Sequence, residues 1–198
     1  QLEEQLGRDH RAHKALDYGT ARFNLYSDID NRGGEVEGVY TGQTVRTMDI
    51  PPPEVMNTEH SWPQSRGADM GAAESDLHHL FPVDPSANMA RSNLHYGRVA
   101  GQPDWSDGGS KKGENMAGQT VFEPRDAHKG DAARATFYFA VIYDHDIPPN
   151  EEQALRQWHQ NDPPTAGERQ RNTAIEKVQQ SRNRFVDYPG LVGQISDF

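Results

Sequence analysis

The stretch from Asn57 to Asn93 constrains this chain more than any other. It reads NTEHSWPQS, then a short polar loop, then SDLHHLFPVDPSANMARSN. Pro51-Pro52-Pro53 precedes it and forces an extended, non-helical lead, because proline fixes φ and restricts the residue before it. Glu54 to Thr58 is then expected to continue as a strand that delivers Glu59 and His60 near its end and closes at Trp62-Pro63. Arg66 to Glu74 reads as a small-residue loop, and Asp76 to Val83 as a second short strand. Asp84-Pro85-Ser86 has N-cap and first-turn character, so Ala87 to Asn93 is predicted as a short helix. The unit, about residues 54–93, is strand, loop, strand, helix, with polar groups converging from the first strand and the helix.

The flanks supply the rest of an α+β fold. Gln1 to Asp30 has a helical pattern, with Leu16, Tyr18, Ala21, Phe23, Leu25 and Tyr26 on one broad face and His10 and His13 solvated in the lead-in. Asn31-Arg32-Gly33-Gly34 stops that helix, and Val36 to Val45 reads as a hairpin-like strand region. Gly97 to Gly118 is read as a long surface loop anchored by Trp105, and Thr120 to Pro124 as an exit strand. Asp131 to Tyr143 is the most apolar run and is predicted as a buried helix N-capped by Asp131. Glu151 to Gln160 and Gly167 to Gln180 are predicted helices, the second with Ala174, Ile175 and Val178 on one face, and Ser181 to Pro189 packs back on the body. One mixed α/β domain spanning 1–198 is the expected organisation.

The chemistry follows from which polar groups the unit gathers. Glu59 and His60 are adjacent, so a carboxylate and an imidazole lie at one point of the backbone. Asn88 adds a neutral oxygen ligand, and Arg91 follows one helical turn later. A histidine acts as general base when a water and a phosphate come within hydrogen-bond reach, and His60 is the candidate. It needs a carbonyl or carboxylate to orient it, which Glu74 or Asp76 can supply. Mg²⁺ takes oxygen ligands, keeps several waters and needs one or two protein groups, so Glu59 and Asn88 suffice; Mn²⁺ or Ca²⁺ can occupy such a site. Arg66 or Arg91 can grip a phosphate oxygen, and His79 is a further candidate if His78 and His79 point to opposite faces of a strand. Asp144, His145 and Asp146 suit a polar helix end better than a second metal site.

Composition bounds this reading. With 20 Lys+Arg against 30 Asp+Glu the net charge is −10, a poor match to a stoichiometric nucleic-acid binder but compatible with an enzyme that has a local basic cleft. Cysteine is absent, which excludes disulfides and thiolate zinc sites. No apolar run approaches the length of a membrane span. The start at Gln1 fits a mature product after signal-peptide removal, or a trimmed chain.

The ordered set NTEHSWPQS, SDLHHLFPVDPSANMARSN, GDAARATFYFAVIYD and RNTAIEKVQQSRNRFVDYPGLV resembles the bacterial endonuclease I family. These are secreted or periplasmic nonspecific nucleases of the ββα-metal (His-Me finger) superfamily. The resemblance also takes in ARFNLYSDIDN and VYTG, and so covers most of the chain. It implies a mixed α/β fold around a ββα finger, with Glu59 and Asn88 as metal ligands and His60 as general base. It further implies cleavage of DNA, and of RNA as well, with little sequence preference, leaving 5′-phosphate ends. A monomer that does not engage membranes is the expected form. Three departures stand out: the chain has no Cys where several members carry disulfides, the segment between His60 and Asp76 is short with Arg66 its only Arg, and the charge is strongly negative where other members are more basic. A catalytically silent nucleic-acid- or metal-binding module on the same fold is the alternative, and a structure-selective nuclease a third.

Overall fold

The computed structural model describes residues 6–7 and 13–198; His10 lies outside them. Helix α1 spans Tyr18–Asn24 and widens into a π turn over Leu25–Ile29. It starts later than its apolar pattern suggests because Asp17 caps it, its Oδ1 accepting from the Thr20 amide at 2.9 Å. Ala21, Leu25, Tyr26 and Ile29 pack into one apolar cluster with Val36, Met56, Leu77, Leu80 and Ile175, whereas Phe23 faces solvent. His13 is not solvated: its side chain is buried and its Nδ1 lies 3.1 Å from Ser181 Oγ.

Strands β1 (Asn31–Arg32), β2 (Glu35–Glu37) and β3 (Thr44–Arg46) form a small antiparallel sheet. Gly33 and Gly34 both have positive φ, 66° and 91°, which is what a two-residue hairpin of this hand requires. The expected stop is therefore also a β-turn, and the 36–45 region does pair as a hairpin.

The central hairpin pairs β4 (Asn57–His60) with β5 (Leu80–Val83) in the register Asn57↔Val83, Glu59↔Phe81, His60↔Leu80. Both strands are shorter than expected. Val55 and Met56 turn back to hydrogen-bond the Pro52 carbonyl, so β4 begins only at Asn57. Asp76 makes an Asx-turn, its Oδ1 accepting from the His78 amide at 3.0 Å, so residues 76–79 are a turn and not strand. Between the strands lie a 3-10 turn (Gln64–Arg66) and a short helix α2 (Gly71–Ser75), where a loop was expected; Ala72-Ala73-Glu74 are good helix formers. Helix α3 (Pro85–Arg91) follows β5 directly, with Asp84 as N-cap accepting from the Ala87 amide at 2.9 Å. The predicted strand, loop, strand, helix order is thus present as β4–α2–β5–α3.

The 97–118 segment is not a plain loop. It contains β6 (Trp105–Asp107) and β7 (Ser110–Glu114), which with β8 (Thr120–Glu123) make a third antiparallel sheet. The hairpin escaped notice because β7, SKKGE, buries only Ser110 and Gly113 and has no apolar alternation. Trp105 does serve as an anchor, stacking on Phe122.

Helix α4 (Asp126–Tyr143) starts five residues before the apolar run, so Asp131 pairs with Arg134 inside the helix and does not cap it. The early turn was masked by Gly130, where a Cβ would come 2.2 Å from the Asp162 carbonyl oxygen; the glycine lets the loop that carries Asp162 lie against the helix. Ala132, Ala133, Phe137, Phe139 and Ala140 build the larger apolar cluster with Trp62, Val83, Phe122, Leu155 and Trp158. Helices α5 (Pro149–Asn161) and α6 (Ala166–Gln179) fall where predicted, α6 burying Ile175 with Ala174 and Val178 packed beside it. The tail returns through α7 (Arg184–Asp187) and a 3-10 segment (Pro189–Gln194), and Phe198 stacks on Phe137 at 4.3 Å. No helix among the described residues is long and apolar enough to cross a membrane.

Candidate active site

Two partner sets meet at the end of β4. The first holds Glu59, which is 3% exposed. Tyr40, from the segment between β2 and β3, donates its hydroxyl to Glu59 Oε1 at 2.7 Å, and Tyr96 Oη lies 2.7 Å from Tyr40 Oη. Arg91 Nε, from the last turn of α3, is 3.5 Å from the same carboxylate oxygen. Burial pushes the Glu59 carboxyl up to about 7, against the opposing pull of the Arg91 charge and the Tyr40 hydrogen bond.

The second set holds His60. Its Nε2 lies 2.9 Å from the Glu74 carbonyl oxygen, and its ring packs near Tyr18 and at 5.3 Å from His79. A carbonyl only accepts, so Nε2 carries the proton and Nδ1 is left with its lone pair. Nδ1 has no hydrogen-bond partner among the described residues and is not shut off from solvent. Burial, reinforced by the nearby His79 and opposed by the Glu74 hydrogen bond, pushes His60 down to about 3, so the ring is neutral at physiological pH.

Several predicted roles are corrected by this geometry. His60 is oriented at Glu74, but through the backbone carbonyl of α2 and not the carboxylate. Asp76 does not reach His60: its Oδ2 accepts from Tyr138 and Tyr143 at 2.9 and 2.8 Å, and its Oδ1 from Gln179 at 2.7 Å. His79 is fully buried with Nε2 on the Ala73 carbonyl, so it is not placed to touch a phosphate. Arg91 is likewise fully buried; its guanidinium bonds the Ser61 and Leu94 carbonyls and lies 4.3 Å over the Tyr96 ring, which makes it a support for Glu59 and not a phosphate grip. Arg66 is the more accessible of the two, with its side chain 18% exposed, 3.3 Å from Glu151 and stacked over Trp62. Asn88 is partly exposed, one turn before Arg91 on α3, and its carboxamide has no partner among the described residues. Tyr40 and Tyr96 were not foreseen, since they come from separate segments and neither stands in a spacing motif.

Asp76 ties α2, α4 and α6 together, which makes stability sensitive to acid. Burial alone would raise its carboxyl, but His78, His13, His79 and the hydrogen bond from the His78 amide outweigh this and hold it well below the usual range. A carboxyl depressed in the folded state stabilises above its unfolded value near 3.8, and that stability is lost as pH falls through the folded value. Asp76→Asn is therefore expected to lower stability at pH 7 by about 1–3 kcal/mol, since it mismatches buried donors, and to flatten the loss of stability below about pH 4. Urea melts of both proteins from pH 7 to pH 2 check this; parallel pH curves would contradict it.

A divalent cation fits the residues present. Glu59 is a carboxyl whose charged form burial disfavours despite Arg91 beside it, and Asn88 offers an unengaged oxygen; both are hard donors of the kind Mg²⁺ takes. Among the described residues no group of three or more His, Asp or Glu is arranged to hold a metal, so an ion here would keep most of its ligands from water and substrate.

The family model described as Endonuclease I matches residues 7–190. The chain belongs to the endonuclease I family. It is 35% identical over 163 residues to the extracellular ribonuclease of Bacillus subtilis (strain 168), covering 70% of this chain and 53% of that protein. It is 26% identical over 122 residues to the periplasmic deoxyribonuclease of Aeromonas hydrophila, covering 62% and 51%. With Endonuclease-1 of Buchnera aphidicola subsp. Baizongia pistaciae it shares 27% over 113 residues, covering 57% and 46%. This family member thus spans about half the length of the curated relatives it matches.

Proposed function

We propose that this endonuclease I family member hydrolyses phosphodiester bonds of DNA and RNA without sequence preference, in the periplasm or outside the cell. The observation that carries the reading is His60, a neutral imidazole with Nε2 tied to the Glu74 carbonyl and Nδ1 open, next in the chain to a buried carboxylate fixed by Tyr40 and Arg91. The names of the relatives, extracellular ribonuclease and periplasmic deoxyribonuclease, support the breadth of substrate and the compartment.

In this mechanism His60 Nδ1 removes a proton from the attacking water. The Glu74 carbonyl keeps the ring in the tautomer that leaves Nδ1 free and stabilises the imidazolium that forms. Burial makes that imidazolium costly, and the anionic phosphorane beside it offsets the cost. Tyr40 and Arg91 hold the Glu59 carboxylate in one orientation, so it is presented without rearrangement. Glu59 and Asn88 would hold a divalent cation such as Mg²⁺, which would supply positive charge for the phosphorane and the departing 3′ oxygen. Bond cleavage on that side leaves a 5′-phosphate end. Because Glu59 and His60 take separate partners, the substrate must lie across the end of β4 to meet both.

Supercoiled plasmid and single-stranded RNA incubated with the protein in Mg²⁺ or in EDTA test this. Degradation of both in Mg²⁺ and of neither in EDTA is the expected result. Undiminished degradation in EDTA would remove the metal from the mechanism, and a folded protein inert in Mg²⁺ and Mn²⁺ would leave the silent binding module.

A further inference from the structure

A second imidazole is fixed by a carboxylate outside the site above. His95 follows α3, where the His95 carbonyl accepts from the Phe122 amide at 3.0 Å and Tyr96 bridges to Phe122 of β8. Its Nδ1 lies 2.5 Å from Glu151 Oε2, and its side chain remains 44% exposed. Glu151, at the start of α5, is 2% exposed and takes two more donors: Arg66 at 3.3 Å and the Tyr96 amide at 2.8 Å. Burial alone would raise the Glu151 carboxyl, but these three donors hold it below the usual range, so it is charged and accepts. Nδ1 of His95 is then the donor to Glu151, and Nε2 faces outward, where it donates to an anion once the ring takes up a second proton as the imidazolium. A carboxylate buried to this extent is expensive unless it is paired. Here the pairing leaves an imidazole edge and part of a guanidinium on the surface.

His95, Tyr96 and Glu151 also border a cavity of about 350 Å³, within the range of small-molecule sites. Pro148 and Pro149 give it an apolar side, while Asn115, Gln119 and Asn150 give it amides. Gln119 Oε1 accepts from Asn115 at 3.2 Å and from Asn150 at 2.9 Å, which leaves the Gln119 amino group and the Asn150 oxygen unengaged. One free donor and one free acceptor beside Pro148 and Pro149 match the polar edge and the apolar face of a nucleobase. Among the described residues that line the cavity Glu151 alone is acidic, and its charge is already taken up. In a chain of net charge −10 this is a surface a polyanion can approach. It is tied to the proposed reacting centre: Tyr96 reaches Glu59 through Tyr40 in two hydrogen bonds, and Arg66 stacks on Trp62, two residues after His60.

We infer that His95 and this cavity form a nucleotide subsite for the substrate strand, the His95 imidazolium bridging Glu151 and a phosphate, with Nε2 donating to the phosphate, and the amide-lined cavity taking one base. This rests on the nuclease reading above, so its test is binding without cleavage. The probe is a 5′-fluorescein-labelled single-stranded hexadeoxynucleotide, with an abasic strand of the same length beside it, followed by fluorescence anisotropy in EDTA. His95→Ala is expected to raise Kd for both probes about tenfold, the scale of one charge-assisted contact. Asn150→Ala, at an exposed position, is expected to raise Kd about threefold for the base-bearing probe and to leave the abasic one unchanged. Wild-type affinity for both probes in His95→Ala, equal wild-type affinity for the two probes, or no wild-type binding would each overturn the subsite. Parallel Mg²⁺ digests of plasmid report on the nuclease reading separately. The Asn150 variant decides the base contact even if His95→Ala fails to fold.

Discussion

His60→Ala is expected to lower plasmid cleavage in Mg²⁺ about 10³-fold, roughly 4 kcal/mol of transition-state stabilisation, the middle of the range for loss of a positioned general base. The residue is not generic core. Its Nε2 is anchored to the Glu74 carbonyl, which selects the tautomer with Nδ1 unprotonated, and Nδ1 is the ring nitrogen that no group of the described chain occupies. Burial keeps it neutral, so the base is ready without a prior proton loss. Because His60 is placed here as base and not as ligand, Mn²⁺ affinity measured by calorimetry should stay within a factor of about three. Circular dichroism and thermal melts separate a chemical loss from a folding loss, since the ring also packs against Tyr18 and His79. Cleavage within tenfold of wild type would remove His60 from the mechanism. Lost metal affinity in a folded variant would make it a ligand.

Arg91→Ala is expected to destabilise the protein by about 3–5 kcal/mol, because removing one partner of a buried pair leaves the other charge uncompensated. For a chain of this size that is a fall in Tm on the order of 10 °C. The guanidinium is fully buried and spans three attachments that no smaller group reaches together: the Glu59 carboxylate and the Ser61 and Leu94 carbonyls, with the Tyr96 ring beneath. Arg91→Lys keeps a charge but not the fork, and should recover only part of the loss. The carboxyl of Glu59, already raised by burial, would lose the opposing charge, so Mn²⁺ affinity should change with stability. An unaltered Tm with a raised KM for nucleic acid would return Arg91 to the phosphate-gripping role that its position three residues after Asn88 suggests.

What could be read from the sequence was local. Asp84-Pro85 announces the start of a helix, the extended lead from Pro51-Pro52-Pro53 announces a strand ending near His60, and the helix start and strand end stand where expected. The unit 54–93 was legible because each of its parts carries its own capping or turn chemistry. What could not be read was tertiary. Glu59 is held by Tyr40 and Tyr96, one before and one after the unit, and no periodicity links them. Arg66 and Arg91 look alike as candidates in sequence; only burial separates the supporting arginine from the accessible one. Asp76 reads as a carboxylate that can orient His60, yet its bonds run to Tyr138, Tyr143 and Gln179, far along the chain. The hairpin of β6 and β7 was hidden for a different reason: its buried positions are Ser110 and Gly113, which no hydrophobic pattern marks.

The most direct measurement is an anomalous difference map from a crystal soaked in Mn²⁺. A single peak within ligand distance of a Glu59 carboxylate oxygen and the Asn88 carboxamide oxygen, with His60 outside its coordination, is the expected result. A peak coordinated by His60, or one at Asp144 to Asp146 with none at Glu59, would contradict the assignment of metal and base on which the proposed mechanism depends.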